Sequence, residues 1–95
     1  MENDWAGEWE TDYGDLTLKV QGQMLTGSYE LPDGTRGTIH GTVAGDLASG
    51  VWRQSSSVKG VPWGRFRLLM DENGEFSGHW TYGNNNKPDG TWEGE

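Results

Sequence analysis

Apolar and polar residues alternate along most of this chain with a spacing of two. In one stretch Leu16, Leu18 and Val20 alternate with Thr17 and Lys19. Successive side chains of a β-strand point to opposite faces, so this spacing indicates strands with one dry and one wet face. No segment shows a helical period. The pattern predicts eight strands, at residues 7–13, 15–20, 24–30, 36–43, 47–53, 63–70, 75–82 and 89–94.

A short motif recurs within these strands: an apolar residue, a glycine and an aromatic residue, each two positions apart. It occurs as Leu25-x-Gly27-x-Tyr29, Ala48-x-Gly50-x-Trp52 and Phe76-x-Gly78-x-Trp80. Turn-forming residues separate the strands, which is typical of an antiparallel meander. We expect one all-β domain over residues 1–95, a small eight-stranded antiparallel up-and-down barrel, because closure removes exposed strand edges. A two-sheet β-sandwich is the alternative.

The connections orient this predicted barrel. They alternate between its two ends, and the longer ones, 31–35, 54–62 and 83–88, fall at the same end. Inward-facing aromatic residues gather there, while aliphatic residues fill the tight-turn end and glycines form a band between. The sequence therefore predicts an aromatic mouth, with candidate ligand-binding residues Tyr29, Trp52, Trp80, Tyr82 and Trp92, and with Thr11, Asp15 and Gln54 as polar partners.

Composition narrows the classes of partner. The 95 residues carry a formal charge of −8 and include no cysteine. Nucleic acids and anionic membranes are bound largely through basic residues, so neither is an expected partner. The two histidines are predicted to face outward on strands that are not neighbours, so we expect no metal site and no cofactor. No apolar leader follows Met1, so a cytoplasmic location is expected for the chain as written, with secretion after removal of a leader left open.

The first three predicted strands resemble those of the avidin and streptavidin family, within the wider group of calycin barrels. The resemblance rests on Gly7-Glu8-Trp9, on Gly14 and on the run Leu25-Thr26-Gly27-Ser28-Tyr29-Glu30. It implies an open-ended barrel with a ligand pocket. Of the biotin-contacting positions of that family, Tyr29 matches, whereas Thr11, Asp15 and Leu31 replace an Asn and two Ser. The resemblance therefore implies the fold and the pocket, but not biotin.

Three functional hypotheses follow. The first is a non-catalytic protein that binds a small ligand, sugar-like or flat and apolar, at the aromatic mouth. The second is a barrel filled by its own rings that acts as a protein-interaction or assembly module. The third, weaker hypothesis is an enzyme that uses paired carboxylates, which needs two close acids inside the mouth, one with a raised pKa.

The second hypothesis points to the outer surface of the barrel. The alternation places Arg53, Arg65 and Arg67 outward on adjacent strands, with Trp63 facing outward or into a loop. Acidic residues crowd the first strand and both termini, nearly opposite these arginines. A contact between the two patches would join copies of the chain, so homo-oligomerisation is an expectation of this hypothesis.

Overall fold

The chain forms one closed antiparallel β-barrel in which each strand pairs with the next and the last pairs with the first. A computed structural model describes residues 5–56 and 60–95. The strands are β1 (Gly7–Thr11), β2 (Gly14–Gln21), β3 (Met24–Glu30), β4 (Arg36–Ala44), β5 (Leu47–Gln54), β6 (Trp63–Met70), β7 (Phe76–Trp80) and β8 (Gly90–Gly94).

The predicted up-and-down barrel is confirmed, and the two-sheet sandwich is not observed. Each strand begins and ends within two residues of its predicted bounds. The described part of the chain contains no helix that is long and apolar enough to cross a membrane.

The inward aromatic residues of β3 to β8 each lie directly across from a glycine of a neighbouring strand. The pairs are Tyr29 with Gly37, Trp52 with Gly64, Phe66 with Gly50, Phe76 with Gly94, Trp80 with Gly90, and Trp92 with Gly78. In several pairs the ring covers its glycine: a Cβ added at Gly37, Gly90 or Gly94 would collide with the ring opposite. The glycines therefore provide room for large rings inside a narrow barrel.

An aromatic cluster closes the tight-turn end of the barrel. The Trp5 side chain is 2% exposed, and its ring centroid lies 6.2 Å from that of Trp9 and 6.0 Å from that of Phe76. The Trp5 indole N–H donates to the carbonyl of Gly45, 2.9 Å away, in the turn between β4 and β5. Gly45 holds a φ of +59°, which favours glycine in this tight turn. Trp5 thus fixes the segment before β1 across the end of the barrel, where the sequence predicted an aliphatic filling.

The barrel closes through a short joint between β1 and β8, which we call the seam. Its ladder has one register pair, Thr11 with Gly94. Glu10 and Glu95 exchange two backbone hydrogen bonds of 2.9 Å. The Asp12 backbone N–H donates to the carbonyl of Glu93. In return, the Asp12 carboxylate accepts a hydrogen bond from the Glu93 N–H. Each of the other joints has at least five register pairs, so the seam is the shortest joint.

Replacement of Trp5 should test its role in closing the barrel. We expect Trp5→Ala to lower the free energy of unfolding by about 3–5 kcal/mol, because it empties a buried site. Trp63→Ala is the matched control, since Trp63 is 36% exposed, and it should cost about 1 kcal/mol or less. Urea denaturation followed by circular dichroism measures both. Equal losses for the two variants would show that Trp5 does not brace the barrel.

Candidate functional site

A cavity of about 220 Å³ opens at the long-loop end of the barrel. Six aromatic side chains line it, together with one leucine and four polar residues from the surrounding strands and loops. The aromatic residues are Tyr13, Tyr29, Trp52, Trp80, Tyr82 and Trp92, and the others are Leu31, Asp33, Thr35, Gln54 and Ser56. The predicted aromatic mouth is therefore present, and it holds open space as well as packed rings.

The rings of the wall are held by the strands that carry them. Trp52 is buried and covers Gly64, and its indole N–H donates to the carbonyl of Thr81 at 3.0 Å. Trp80 is half-buried and covers Gly90. The backbone N–H of Tyr82 donates to an Asp89 carboxylate oxygen at 2.7 Å, which fixes the residue just after β7. These contacts fix the rings of Trp52 and Trp80 and the backbone at Tyr82.

Three of these rings stand nearly perpendicular to one another. The planes of Trp52 and Trp80 meet at 86°, with ring centroids 5.9 Å apart. Trp52 and Tyr82 meet at 72°, also at 5.9 Å. Trp80 and Tyr82 meet at 84°, at 4.9 Å. The rings therefore form a three-sided corner rather than a flat slot.

Two polar side chains of the wall are joined in a chain of hydrogen bonds. The Tyr29 hydroxyl donates to Gln54 Oε1 at 2.7 Å, and Gln54 Nε2 donates to the carbonyl of Ser56 at 2.9 Å. Burial raises the pKa of the Tyr29 phenol above its ordinary range, because the anion would lose its hydration. Tyr29 thus remains a neutral donor in the cavity wall at physiological pH.

Asp33 contributes a negative charge to the rim of the cavity. Its carboxylate accepts a hydrogen bond of 2.8 Å from the Thr35 backbone N–H. That bond, with a further one from the Thr35 side chain, holds the pKa of the Asp33 carboxyl below its usual range. Asp33 is therefore ionised at neutral pH, and no lysine or arginine is among the described residues that line the cavity.

The indole nitrogen of Trp92 is buried without a hydrogen-bond partner. Among the described side chains, Trp92 Nε1 is the buried nitrogen or oxygen atom for which no acceptor or donor is found. Indoles usually find a partner when they are buried. The ring lies 5.4 Å from that of Tyr29 and 6.4 Å from that of Tyr13, measured between centroids, so the unsatisfied donor belongs to the aromatic wall.

The structure brings most of the predicted ligand-binding residues together and leaves two outside. Tyr29, Trp52, Trp80, Tyr82 and Trp92 all line the cavity, as does Gln54. Asp15 does not, because it is exposed and shares the outward phase of Thr17 on β2.

Thr11 also lies outside the cavity lining. Its hydroxyl donates to the carbonyl of Gly14 at 2.6 Å and accepts from the Tyr13 N–H, so it stabilises the turn between β1 and β2. Thr11 borders the seam instead.

The remaining lining residues were not predicted as site residues from the sequence. Leu31, Asp33 and Thr35 lie in the connection between β3 and β4, and Ser56 follows β5. Tyr13 lies in the turn after β1 and points its ring at Trp80 and Trp92. Only their position in the sequence could have identified them as lining residues, because each lies in or beside a connection at the long-loop end.

The predicted partner surface lies on the outer wall. Trp63 is exposed and faces Arg53 across the ladder between β5 and β6, with exposed Arg65 two residues further along β6. Arg67, also exposed, faces His79 on β7. Within residues 5–56 and 60–95 the ion pair found joins Arg36 to Glu30, so these three arginines have no carboxylate within ion-pair distance there.

A second, acidic depression lies over the outside of the seam. Six of its residues are acidic: Glu10, Asp12, Asp71, Glu75, Glu93 and Glu95. A hydrogen bond with the Glu95 side chain, together with the charge of Asp71, raises the pKa of the Glu75 carboxyl. Glu2 and Asp4, which the sequence also assigned to this acidic region, lie outside the described residues.

The positions of the acidic residues are relevant to two earlier inferences: that the chain has no metal site, and the hypothesis that it is an enzyme with paired carboxylates. No group of three or more potential ligands suited to a metal ion occurs among the described residues. The paired-carboxylate hypothesis needs two acids in the mouth, one of them with a raised pKa. The described lining of the cavity contains one acid, Asp33, and its pKa is lowered.

Comparisons with known proteins identify no relative of this chain. A scan against protein-family models, a search of curated proteins and a search of solved structures each found no match to this chain. The likeness of the first strands to the avidin family thus rests on the motifs alone.

The unsatisfied indole of Trp92 leads to a prediction that compares two buried tryptophans. Trp52→Phe removes a hydrogen-bonded N–H, whereas Trp92→Phe removes one without a partner, and the volume lost is the same. We expect Trp92→Phe to be the less destabilising variant, by about 1–3 kcal/mol in the free energy of unfolding. Chemical denaturation of both variants provides the comparison. A larger loss for Trp92→Phe would mean that its N–H is satisfied in solution.

Proposed function

We propose that this protein binds a small ligand in the aromatic cavity at the mouth of its barrel. The observation that supports the proposal is the cavity itself, which remains open although six rings line it. Binding sites are typically concave and largely apolar, with a few polar groups that fix orientation. A cavity with an aromatic wall, a neutral tyrosine hydroxyl and one carboxylate fits that description.

The size of the cavity limits the ligand. Its volume of about 220 Å³ is somewhat larger than the roughly 150 Å³ cavity that holds a single benzene molecule. The ligand, or the part of it that enters the barrel, is therefore about the size of one ring or one compact group. Sugars and flat apolar heterocycles, the two classes expected from the sequence, both fall within this range as single-ring compounds.

The calycin-like character of the barrel belongs to the same proposal. Closed eight-stranded barrels of this kind are just wide enough for side chains or for one small ligand. The closed antiparallel topology is compatible with a calycin-like barrel, and the motif resemblance of β1 to β3 points in the same direction.

A thermal-shift screen tests this function directly. The wild-type protein is heated with monosaccharides, flat heterocycles, biotin, short lipids and small organic cations. A ligand present at 100 times its dissociation constant stabilises the folded state by about 2.7 kcal/mol, which raises the Tm of a domain this small by several degrees. We expect a saturable shift with one chemical class. No shift with any class, in a protein that unfolds cooperatively, would contradict the proposed function.

The outer surface supports a second candidate function, self-assembly through opposite charges. Arg53, Arg65 and Arg67 lack carboxylate partners among the described residues, and Trp63 lies exposed beside them. Arginine and tryptophan are the residue types that most often dominate interfaces. The acidic depression over the seam is the complementary surface on a second copy of the chain.

Sedimentation velocity at low and high salt tests this assembly. We expect association at low ionic strength that weakens as salt screens the charges, and a monomer for the double variant Arg65→Glu and Arg67→Glu. Lys19→Glu is the control, because it makes the same kind of charge change on exposed β2, away from the arginines. A wild-type protein that remains monomeric at low salt would exclude this second function.

A further inference from the structure

The three perpendicular rings in the cavity indicate which class of ligand it takes. We infer that the corner formed by Trp52, Trp80 and Tyr82 holds a compact cation, namely a trimethylammonium or similar alkylammonium group. This inference depends on the proposed function, because it names the ligand class of the same site. It rests on the mutual orientation of the rings, on their fixed positions and on the charge of the wall.

The geometry of the corner suits a rounded group better than a flat one. A flat ring stacks on one face and presents only its edge to the other two. A tetrahedral trimethylammonium group presents methyl groups to all three faces at once. The three ring centroids lie 4.9–5.9 Å apart, so a compact group in van der Waals contact with all three rings lies within the cation–π range of about 6 Å from each centroid.

The charge of the wall favours a cation over a neutral ligand. An aromatic face is negative at its centre and attracts a cation most strongly where water is excluded. Asp33 supplies a carboxylate at the rim, and the described lining contains no basic side chain to oppose it. The net charge of −8 also draws cations toward the protein from a distance.

The polar groups of the wall argue against a sugar in the same place. Sugars need several hydrogen bonds from the protein, yet Tyr29, Gln54 and the carbonyl of Ser56 already bond to one another. The Trp92 N–H is the one buried donor found without a partner among the described residues, and a single donor does not satisfy a sugar. A trimethylammonium group has no N–H and requires no hydrogen bond. Its contacts with the rings are available without breaking this chain of bonds.

A titration of the wild-type protein with a matched pair of probes tests the inference. Choline and 3,3-dimethyl-1-butanol have nearly the same shape, but only choline is charged. Binding is followed by calorimetry and by NMR shifts of the indole N–H signals. We expect choline to bind at least about tenfold more tightly than the neutral alcohol, as is reasonable for a cation enclosed by several rings.

Three variants assign the effect to the corner and to the rim. Tyr82→Leu removes a ring but keeps an apolar side chain, and it should weaken choline about tenfold while leaving the neutral alcohol within about twofold. Tyr82→Phe, which retains the ring, is its control. Asp33→Asn removes the charge but keeps an oxygen for the Thr35 N–H, and it should weaken choline only, by an amount that shrinks at high salt.

The outcomes separate this inference from the proposed function. If the neutral alcohol binds as tightly as choline, or if only a sugar or heterocycle binds, the cavity is a binding site but the cation inference is wrong. If neither probe nor any compound of the thermal-shift screen binds, both fail. Tighter binding of choline that depends on the Tyr82 ring supports both.

Discussion

The interior of this barrel depends on the pairing of large rings with glycines. Eight short strands enclose little space, and β3 to β8 place six aromatic side chains inside it. Each ring fits because the residue across the ladder has no side chain. At Gly41 and Gly50, which face each other directly, the backbones approach so closely that a Cβ on either would collide with the opposite strand. The ring–glycine pairing that fills the barrel toward its tight-turn end also holds Trp52 and Trp80 in place at the mouth.

The fold could be read from the sequence because it is encoded locally. A spacing of two recurs in every strand, and glycine, proline or asparagine marks the connections, so strand bounds and strand order follow from neighbouring residues. The inward phase of Tyr29, Trp52, Trp80 and Trp92 was predictable for the same reason. Asp15 has the opposite phase on β2, so alternation itself excludes it from the cavity, although it lies at the long-loop end of the barrel.

The rest of the site depends on contacts that alternation does not describe. Asp33, Thr35 and Ser56 reach the cavity because of the path of their connections, which period-two patterning leaves undefined. Thr11 has an inward phase, but its hydroxyl is held by the turn that follows. Trp5 closes the far end through a hydrogen bond to Gly45, 40 residues away in sequence. A contact between residues so far apart cannot be recognised from the sequence around either of them.

If the mouth binds a ligand as proposed, the short seam between β1 and β8 links that binding to the stability of the barrel. The strands at this joint share one register pair, so we expect local opening to cost least there. Tyr13 follows β1 and Trp92 lies on β8, and their rings meet edge to face across the seam, with centroids 6.4 Å apart. A bound molecule that touches both rings acts as a staple across the joint. Such binding would slow amide hydrogen exchange at Glu10 and Glu95, which do not line the cavity, because part of the binding free energy keeps the barrel closed.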